Sequence, residues 1–428
     1  MLKGALQRMA RSLERLSFTD EGVFFRSYRL GQHVAGLPKR YPALFLREIE
    51  LGKLLMGGEA QYSSASYARV TGDLLRPSRP ITQSPHVELL KAYRESGESL
   101  FLPGRLEATS YYKNAAKCIE LYGSHFGAKD PKDIVHKARS FCNLLDREQS
   151  NGNGHNAETN GSDSQVVVRR IAFSDCYEIL EGEHELALAF VQGAREYECL
   201  VQPSAPVLTP IQQMIVDSNW TMGRPEVYQP IAAPELATWP AVRQCSDRLE
   251  MMMSWLAARN ISSGSYLDIC CSYGWFVAEM KRRGFQAFGV DRDTAAVSVG
   301  RLAYGLDPTA NKITEVITFL DKKEKLFDIV SCFSILHHFV RGHMRCSAAD
   351  FIRKVDAVTG TVLFLDTGES HEDWFKESLA EWEAEFIKKW LKDNTSFSSV
   401  EILGIDSDNV FPYEKQYRRH LFACSREE

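Results

Sequence analysis

The fold is decided by one stretch of sequence, which begins Ser265-Tyr-Leu-Asp-Ile-Cys-Cys-Ser-Tyr-Gly-Trp-Phe276 and ends, after a further helical run, in Ala287-Phe-Gly-Val-Asp291. The first apolar run breaks at Ser272 and Gly274 and a second follows the helical run, so the pattern predicts a strand, a tight turn, a helix and a strand. Two strands joined in this way are parallel, and a nucleotide bound to such a unit lies beyond their carboxyl ends. The stretch therefore predicts a nucleotide-binding α/β domain.

Two carboxylates in this stretch point to the kind of nucleotide. Asp268 lies inside the first strand, where a charge is costly unless it is satisfied, and Asp291 ends the second strand, where a carboxylate can accept both ribose hydroxyls. The dinucleotide fingerprint requires glycines at three positions that are occupied here by Cys270, Ser272 and Trp275. A redox dinucleotide is therefore disfavoured, while a buried βαβ unit without a ligand stays open as the alternative.

The small residues of the first turn carry a family resemblance. Asp268 is followed at alternate positions by Cys270, Ser272 and Gly274, whose small size lets a cofactor approach the backbone. This pattern resembles class I, Rossmann-like methyltransferases, which use S-adenosylmethionine as methyl donor. The resemblance implies that the turn binds this cofactor, with Asp268 and Gly274 against its methionine part, and that Asp291 holds the ribose.

The chain beyond Asp291 continues the alternation of strand and helix. The predicted strands are 313–319, 327–338 with its end in a loop, 361–366, 400–405 and 419–424, and the predicted helices are 294–304, 348–358 and 374–391. The last two strands are neighbours, which matches a seven-stranded methyltransferase domain over residues 263–428 with an antiparallel final strand. The resemblance also implies that Asp321, after the third strand, reaches the adenine amino group; a solvated charged loop is the other interpretation.

Candidate catalytic groups follow the fourth and fifth strands. His337 and His338 leave the fourth strand, and a histidine is suited to accept a proton at neutral pH. Glu369 and His371 follow the fifth strand and are rival candidates for acceptor binding or for the base. The alternative for Glu369 and for Asp366 is that they cap the next helix. No metal ligand set is predicted.

The residues before this domain form several segments. They are a mainly helical region over 1–149, a polar linker over 150–165, a small α+β module over 166–203, and a bridging segment with a helix over 204–262. The resemblance to class I methyltransferases implies that the bridging segment folds over the cofactor, and ordinary packing between domains is the alternative. The module resembles the ParB-like, partition-protein family, in which a basic residue of the turn meets a phosphate. Here the turn reads Gly182-Glu-His-Glu185, and a carboxylate repels phosphate, so we interpret the module as a scaffold.

Composition limits the partners of the chain. Its 428 residues carry a formal net charge of −5, which argues against a general nucleic-acid binder. No apolar run reaches the length of a membrane span, and the N-terminus lacks a secretory signal, so we expect a cytoplasmic location. Residues 2–16 form a basic amphipathic pattern that suits either peripheral contact with the inner face of an anionic membrane or packing on protein, including a second copy in a homo-oligomer.

These observations favour one function and leave others open. The combination of a helical region, a ParB-like module and a methyltransferase domain is similar to bacterial surface-polysaccharide methyltransferases, which implies O-methylation of a sugar or glycan acceptor. The alternatives are a ParB-like binding or regulatory protein with a non-catalytic methyltransferase fold, and a methyltransferase for small molecules or proteins.

Overall fold

The structure is a computed structural model that describes residues 43, 45–56, 79–150, 165–218, 221, 223–322 and 326–426. Contacts divide the chain into two compact units, of which the first extends to Pro210 and includes 233–238, and the second comprises 211–232 and the chain from Trp239 onward. The predicted helix over residues 2–16 and nearly all of the predicted linker lie outside the described residues. Within the described ranges, no helix is both long enough and apolar enough to cross a membrane.

The first unit combines helices with a small sheet. Its elements are β1 (Leu46–Glu50), β2 (Leu54–Leu55), α1 (Pro85–Ser96), α2 (Arg105–Ala108), α3 (Ser110–Tyr122), α4 (Pro131–Ser150), β3 (Val167–Arg170), β4 (Tyr177–Glu181), α5 (Glu183–Val191) and β5 (Glu196–Val201). The five strands lie in the order β1-β5-β3-β4-β2. The helical region and the small module, which are separate segments in sequence, share one hydrophobic core, with Leu90 and Phe141 from the helices beside Ile179 and Leu186.

The second unit contains the large sheet. Its elements are α7 (Ser246–Ala258), β6 (Ser265–Ile269), α8 (Trp275–Arg282), β7 (Gln286–Asp291), α9 (Thr294–Tyr304), β8 (Asn311–Ile313), α10 (Val316–Asp321), β9 (Phe327–Cys332), α11 (Leu336–Val340), α12 (Ala348–Val358), β10 (Thr359–Leu365), α13 (Ala384–Asn394), β11 (Ser399–Ile405) and β12 (His420–Ser425), with α6 (Pro210–Val216) at the boundary of the two units.

The seven strands of this sheet lie in the order β11-β12-β10-β9-β6-β7-β8. Strands β8, β7, β6, β9 and β10 are parallel, whereas β12 pairs antiparallel with both β10 and β11. The predicted α/β fold with an antiparallel final strand is therefore confirmed. The carboxyl ends of β6, β7, β9 and β10 meet at one edge, which is where a ligand binds in open sheets of this kind.

Three predicted elements differ from the structure. The strand predicted over 313–319 ends at Ile313, because the Glu315 carboxylate accepts the Thr318 N–H at 2.8 Å and starts α10 instead. The helix predicted from Trp374 begins only at Ala384. Residues 374–381 form turns instead, and the Phe375 N–H and the Trp382 N–H donate to carbonyls three residues earlier, those of Glu372 and Leu379. The helix predicted from about Pro240 begins at Ser246.

A glycine in α9 lets this helix rest on the first turn of the nucleotide unit. A β-carbon at Gly300 would lie 1.6 Å from the Tyr273 carbonyl oxygen, which no side chain tolerates. The backbone of the turn after β6 is therefore in direct contact with α9, and Gly300 sets the distance between them.

Replacing Gly300 with alanine should destabilise the second unit by about 3 kcal/mol, because the helix must move away from the turn. The matched control is Ser298→Ala on the same helix, for which we expect a change within about 0.5 kcal/mol. Urea denaturation of both variants measures the difference. Equal stability of the two would contradict the close contact.

Candidate active site

The turn after β6 adopts a glycine-like backbone without the usual glycines. Cys270, Ser272 and Gly274 all have left-handed conformations, with φ of 58°, 53° and 82°. Such a conformation is unfavourable for residues other than glycine, by about 1–2 kcal/mol for each. Cys270 and Ser272, which stand where the resembled family usually has glycine, therefore keep the same backbone conformation. The surrounding packing must offset its cost.

Asp291 is held at the end of β7 by two backbone amides. Its Oδ2 accepts the Ser272 N–H at 2.8 Å and its Oδ1 accepts the Asp293 N–H at 2.9 Å. Burial raises the pKa of this carboxyl group, and the two amides act in the opposite direction. A carboxylate has about four acceptor positions, so each oxygen retains capacity for one hydroxyl. The residue that the sequence assigns to the ribose is thus fixed in position with both oxygens still able to accept.

Asp268 is buried at the end of β6. Its Oδ1 accepts the Ser331 hydroxyl at 2.6 Å, and its Oδ2 is buried without a hydrogen-bond partner among the described residues. Burial raises the pKa of Asp268 to about 7. An unpaired buried carboxylate oxygen is costly, and a cationic or hydrogen-bonding ligand at this edge would relieve that cost.

The segment before the domain lies against the first turn. The Gln229 amide oxygen accepts the Trp275 N–H at 3.3 Å, and the Tyr228 N–H donates to the Tyr273 hydroxyl at 3.4 Å. Residues 228–229 of the bridging segment therefore contact the turn after β6 through these two hydrogen bonds.

Asp321 has a different environment from the one expected. It ends α10 rather than following a strand, is half exposed, and forms an ion pair with Lys354. The prediction that it follows the third strand is wrong, because the Glu315 side chain caps α10 where the strand was predicted to continue.

A cluster of buried charges lies at the same edge of the sheet, and sequence reasoning missed it. We call it the arginine cluster; its members are Arg243, Arg248, Arg419, Asp366, Glu372, Asp406 and Asp408, all at most 2% exposed. The Asp366 carboxylate accepts from Arg243 at 3.1 Å and from Arg248 at 2.9 Å. Burial alone would raise the pKa of Asp366, but the attraction of the arginines is stronger and lowers it to about 2.

The arginine cluster joins distant parts of the chain. Arg419 makes a two-bond contact with Glu372, at 2.7 and 2.8 Å, and donates to the Ser334 hydroxyl at 3.0 Å. The Ser334 N–H in turn donates to Asp366 at 2.7 Å. The role of helix cap that the sequence left open for Asp366 does not apply, since its hydrogen bonds go to this cluster.

The two histidines after β9 lie on the short helix α11. His337 is 4% exposed, and its Nδ1 accepts the Gly368 N–H at 3.1 Å, so its neutral form carries hydrogen on Nε2. Burial lowers the pKa of His337 well below the ordinary range and that of His338 to about 4. Both rings are therefore neutral at pH 7 and are weak bases.

Glu369 and His371 lie together with a third residue, His420, that the sequence analysis did not single out. The Glu369 carboxylate is buried and accepts both the backbone N–H of His420, at 2.5 Å, and its ring Nδ1–H, at 2.9 Å. His371 donates from Nε2 to the Tyr417 carbonyl at 2.6 Å, and its Nδ1 lies 3.6 Å from Glu369. His420 is the first residue of β12 and lies some fifty residues after Glu369 in sequence. The contact between these two residues therefore becomes apparent only in the folded sheet.

An apolar cavity of about 560 Å³ lies beside α11. It is lined mainly by Phe339, Met344, Trp382, Phe386 and Trp390. Phe339 belongs to α11 and Met344 follows it, whereas Trp382, Phe386 and Trp390 lie in or just before α13.

The described residues contain no group of three or more His, Cys, Asp or Glu side chains arranged to hold a metal ion. Many polar groups at this edge pair with one another or with backbone groups, whereas Asp268 Oδ2 has no partner among the described residues. What the arrangement offers is a fixed carboxylate at β7, a buried carboxyl at β6 and several imidazoles beyond β9 and β10.

Comparisons with known proteins give similarities to methyltransferases. Residues 242–400 match a family model described as a methyltransferase domain. Over 97 residues the chain is 34% identical to the mitochondrial ubiquinone biosynthesis O-methyltransferase of Schizosaccharomyces pombe, a match that covers 22% of this chain and 35% of that protein. The chain thus spans about a third of the length of this curated relative.

Solved structures give weaker likenesses. The bifunctional kinase-methyltransferase WbdD is 18% identical, with a TM-score of 0.39 over 50% of this chain and 46% of that one. Magnesium protoporphyrin IX methyltransferase from Synechocystis PCC 6803, solved with bound S-adenosylmethionine, is 18% identical, with a TM-score of 0.30 over 42% of this chain and 80% of that one. Residues 242–400 therefore match methyltransferase domains in sequence, and the sheet that they largely build has the Rossmann-like, seven-stranded fold of class I methyltransferases.

Proposed function

We propose that this protein is an S-adenosylmethionine-dependent O-methyltransferase. The observation that carries the proposal is the pairing of the left-handed turn after β6 with Asp291, whose two oxygens are fixed by the Ser272 and Asp293 amides and can each accept a hydroxyl. This arrangement suits the ribose of a nucleoside at the carboxyl edge of a parallel sheet. The methyltransferase-domain match over the same residues supports a methyl donor rather than another nucleotide.

Each residue of the site then has a role. Bound S-adenosylmethionine supplies an electrophilic methyl group on a positively charged sulfur. Asp291 orients the ribose, and the small side chains of Cys270 and Ser272 allow the cofactor to approach the turn. Asp268, with its unpaired Oδ2, stabilises positive charge near the end of β6. Tyr228 and Gln229 limit the access of water from the side of the first turn.

For the acceptor we propose a sugar or glycan hydroxyl. The relative in Schizosaccharomyces pombe is named an O-methyltransferase, which supports oxygen as the acceptor atom. The loop after β10 and the start of β12 combine Trp374, which is 47% exposed, with the rings of His371 and His420, whose side chains are 44% and 25% exposed. An amphipathic aromatic surface next to hydrogen-bonding groups suits a molecule with both C–H faces and hydroxyls.

A second candidate is a small aromatic or isoprenoid acceptor. The apolar cavity beside α11 favours it. A cavity of about 560 Å³ lined by Trp382, Phe386 and Trp390 suits a flat, apolar group better than a hydrated sugar. The two candidates share the cofactor site and differ only in the acceptor.

For the first unit we propose a scaffold that presents the acceptor or a partner. Its ParB-like turn has Glu185 where phosphate contact would need a basic residue, and the neighbouring Glu183 is buried, with a pKa raised by burial to about 8.

We also propose peripheral contact with an anionic membrane through residues 2–16, a homo-oligomer and a cytoplasmic location. Co-sedimentation with anionic vesicles, compared between the full chain and a variant that lacks residues 2–16, measures the membrane contact.

The proposed activity is tested by release of S-adenosylhomocysteine from S-adenosylmethionine in the presence of an acceptor panel, defined as methyl glycosides, UDP-glucose, GDP-mannose and catechol. We expect release above the acceptor-free rate with at least one sugar. Release with catechol alone would select the second candidate. Absence of release with every member would contradict the enzymatic function and favour a non-catalytic ligand sensor.

The ribose role of Asp291 is tested by calorimetry with S-adenosylhomocysteine. We expect Asp291→Asn to weaken binding about 100-fold, since a hydrogen bond to a charged group contributes about 1.5–3 kcal/mol. Asp321→Asn is the matched control, because this carboxylate pairs with Lys354, and we expect its affinity to be unchanged. A loss of affinity for S-adenosylhomocysteine in Asp321→Asn alone would contradict the assignment of Asp291 to the ribose. Thermal melting of each variant verifies that it is folded.

The charge of Asp268 should make binding of S-adenosylmethionine depend on pH. Because its pKa is raised to about 7, the group is largely protonated at pH 6 and largely ionised at pH 8. The affinity for the positively charged cofactor should therefore rise about 10-fold between these pH values. In Asp268→Asn the rise should disappear, and a rise of the same size in this variant would show that another group is responsible.

A further inference from the structure

We infer that His420 is the general base that takes the proton from the acceptor hydroxyl, with Glu369 as the residue that positions it. The inference rests on the proposed function, since it names the acceptor side of the same site. It starts from the position of His420, the first residue of β12. Two residues later Phe422 pairs with Leu365, the last residue of β10, so His420 lies just beyond the carboxyl end of β10.

That position is on the edge where the cofactor binds. Leu365 pairs with Cys332 at the end of β9, and Cys332 pairs with Ile269 at the end of β6. His420 is therefore at the level of the strand ends that carry Asp268 and the turn after β6. A base at this level can face a hydroxyl held above the sheet.

The tautomer of His420 is set by its contact with Glu369. A carboxylate only accepts hydrogen bonds, so the ring nitrogen at 2.9 Å from Glu369 Oε2, which is Nδ1, carries the hydrogen. The lone pair of the neutral ring is then on Nε2. The described part of the chain offers Nε2 no hydrogen-bond partner, and the side chain is 25% exposed, so this lone pair is available to a ligand.

The other histidines of this edge are less suited to the role. His337 already accepts an amide hydrogen at Nδ1 and is nearly inaccessible. His338 is a weak base, with a pKa lowered by burial to about 4. His371 has its Nε2–H bound to the Tyr417 carbonyl, and its Nδ1 faces Glu369 rather than an open surface.

The buried position of Glu369 explains why it serves His420 instead of acting itself. Its side chain is 4% exposed, and its oxygens are engaged by the His420 amide and ring. During transfer the acceptor oxygen forms a bond to the methyl carbon as the bond from that carbon to sulfur breaks and sulfur keeps the electron pair. The hydroxyl proton passes to Nε2 of His420, and the Glu369 carboxylate stabilises the resulting imidazolium.

The tautomer is tested first, without cofactor or acceptor. Two-dimensional ¹H–¹⁵N NMR of the full chain, with the His420 signals identified by their loss in His420→Gln, should show hydrogen on Nδ1 at neutral pH. In Glu369→Gln we expect a mixture of tautomers, since the amide can donate as well as accept. Hydrogen on Nε2 in the wild type would overturn the assignment.

Kinetics with the members of the acceptor panel that support turnover provide the second test. We expect His420→Ala to lower kcat about 100-fold or more, with unchanged affinity for S-adenosylhomocysteine, and free imidazole to restore part of the rate. Glu369→Gln should lower kcat by a smaller factor, with KM unchanged. His136→Gln, an exposed histidine of α4, is the control and should behave as wild type.

The outcomes separate the two proposals. If the wild type releases S-adenosylhomocysteine and His420→Ala does so equally fast, the base assignment is wrong and the proposed function stands. If the wild type binds the cofactor but turns over no member of the acceptor panel, the proposed function fails and the catalytic role of His420 fails with it.

Discussion

The arginine cluster is the interaction on which the active edge of the sheet depends. Three guanidinium groups meet the carboxylates of Asp366, Asp406, Asp408 and Glu372 in surroundings with almost no solvent. Removing one partner from such a cluster leaves a buried charge uncompensated and costs about 3–5 kcal/mol. The cluster therefore fixes the segment before α7, the loop after β10 and the loop between β11 and β12 in one arrangement.

This arrangement has consequences for the chemistry. Glu372 is held by Arg419, and Arg419 immediately precedes His420 in the chain. The loop that carries Glu369 and the strand that begins with His420 are thus brought together by the same contact. The arginine cluster therefore holds the proposed base and its positioning carboxylate in fixed positions, although the two residues are far apart in sequence.

The sequence predicted the sheet well because each strand of the domain carries a local apolar pattern. It also predicted a cofactor site at the carboxyl edge of the sheet, because Asp268, Gly274 and Asp291 are signals confined to one βαβ unit. It failed at two places in the second unit: the Glu315 side chain caps α10 where the strand was predicted to continue, and residues 374–381 form turns where a helix was predicted. His420 could not be found because its partner lies far away in sequence and nothing in its own neighbourhood marks it.

The central claim is that the turn after β6 and Asp291 bind the nucleoside of S-adenosylmethionine. A crystal structure of the full chain with S-adenosylhomocysteine tests it most directly. We expect both ribose hydroxyls at hydrogen-bond distance, about 2.5–3.0 Å, from the Asp291 carboxylate, with the homocysteine part beside Asp268 and Gly274. A ligand bound elsewhere, or a nucleoside that leaves Asp291 without contact, would contradict the account.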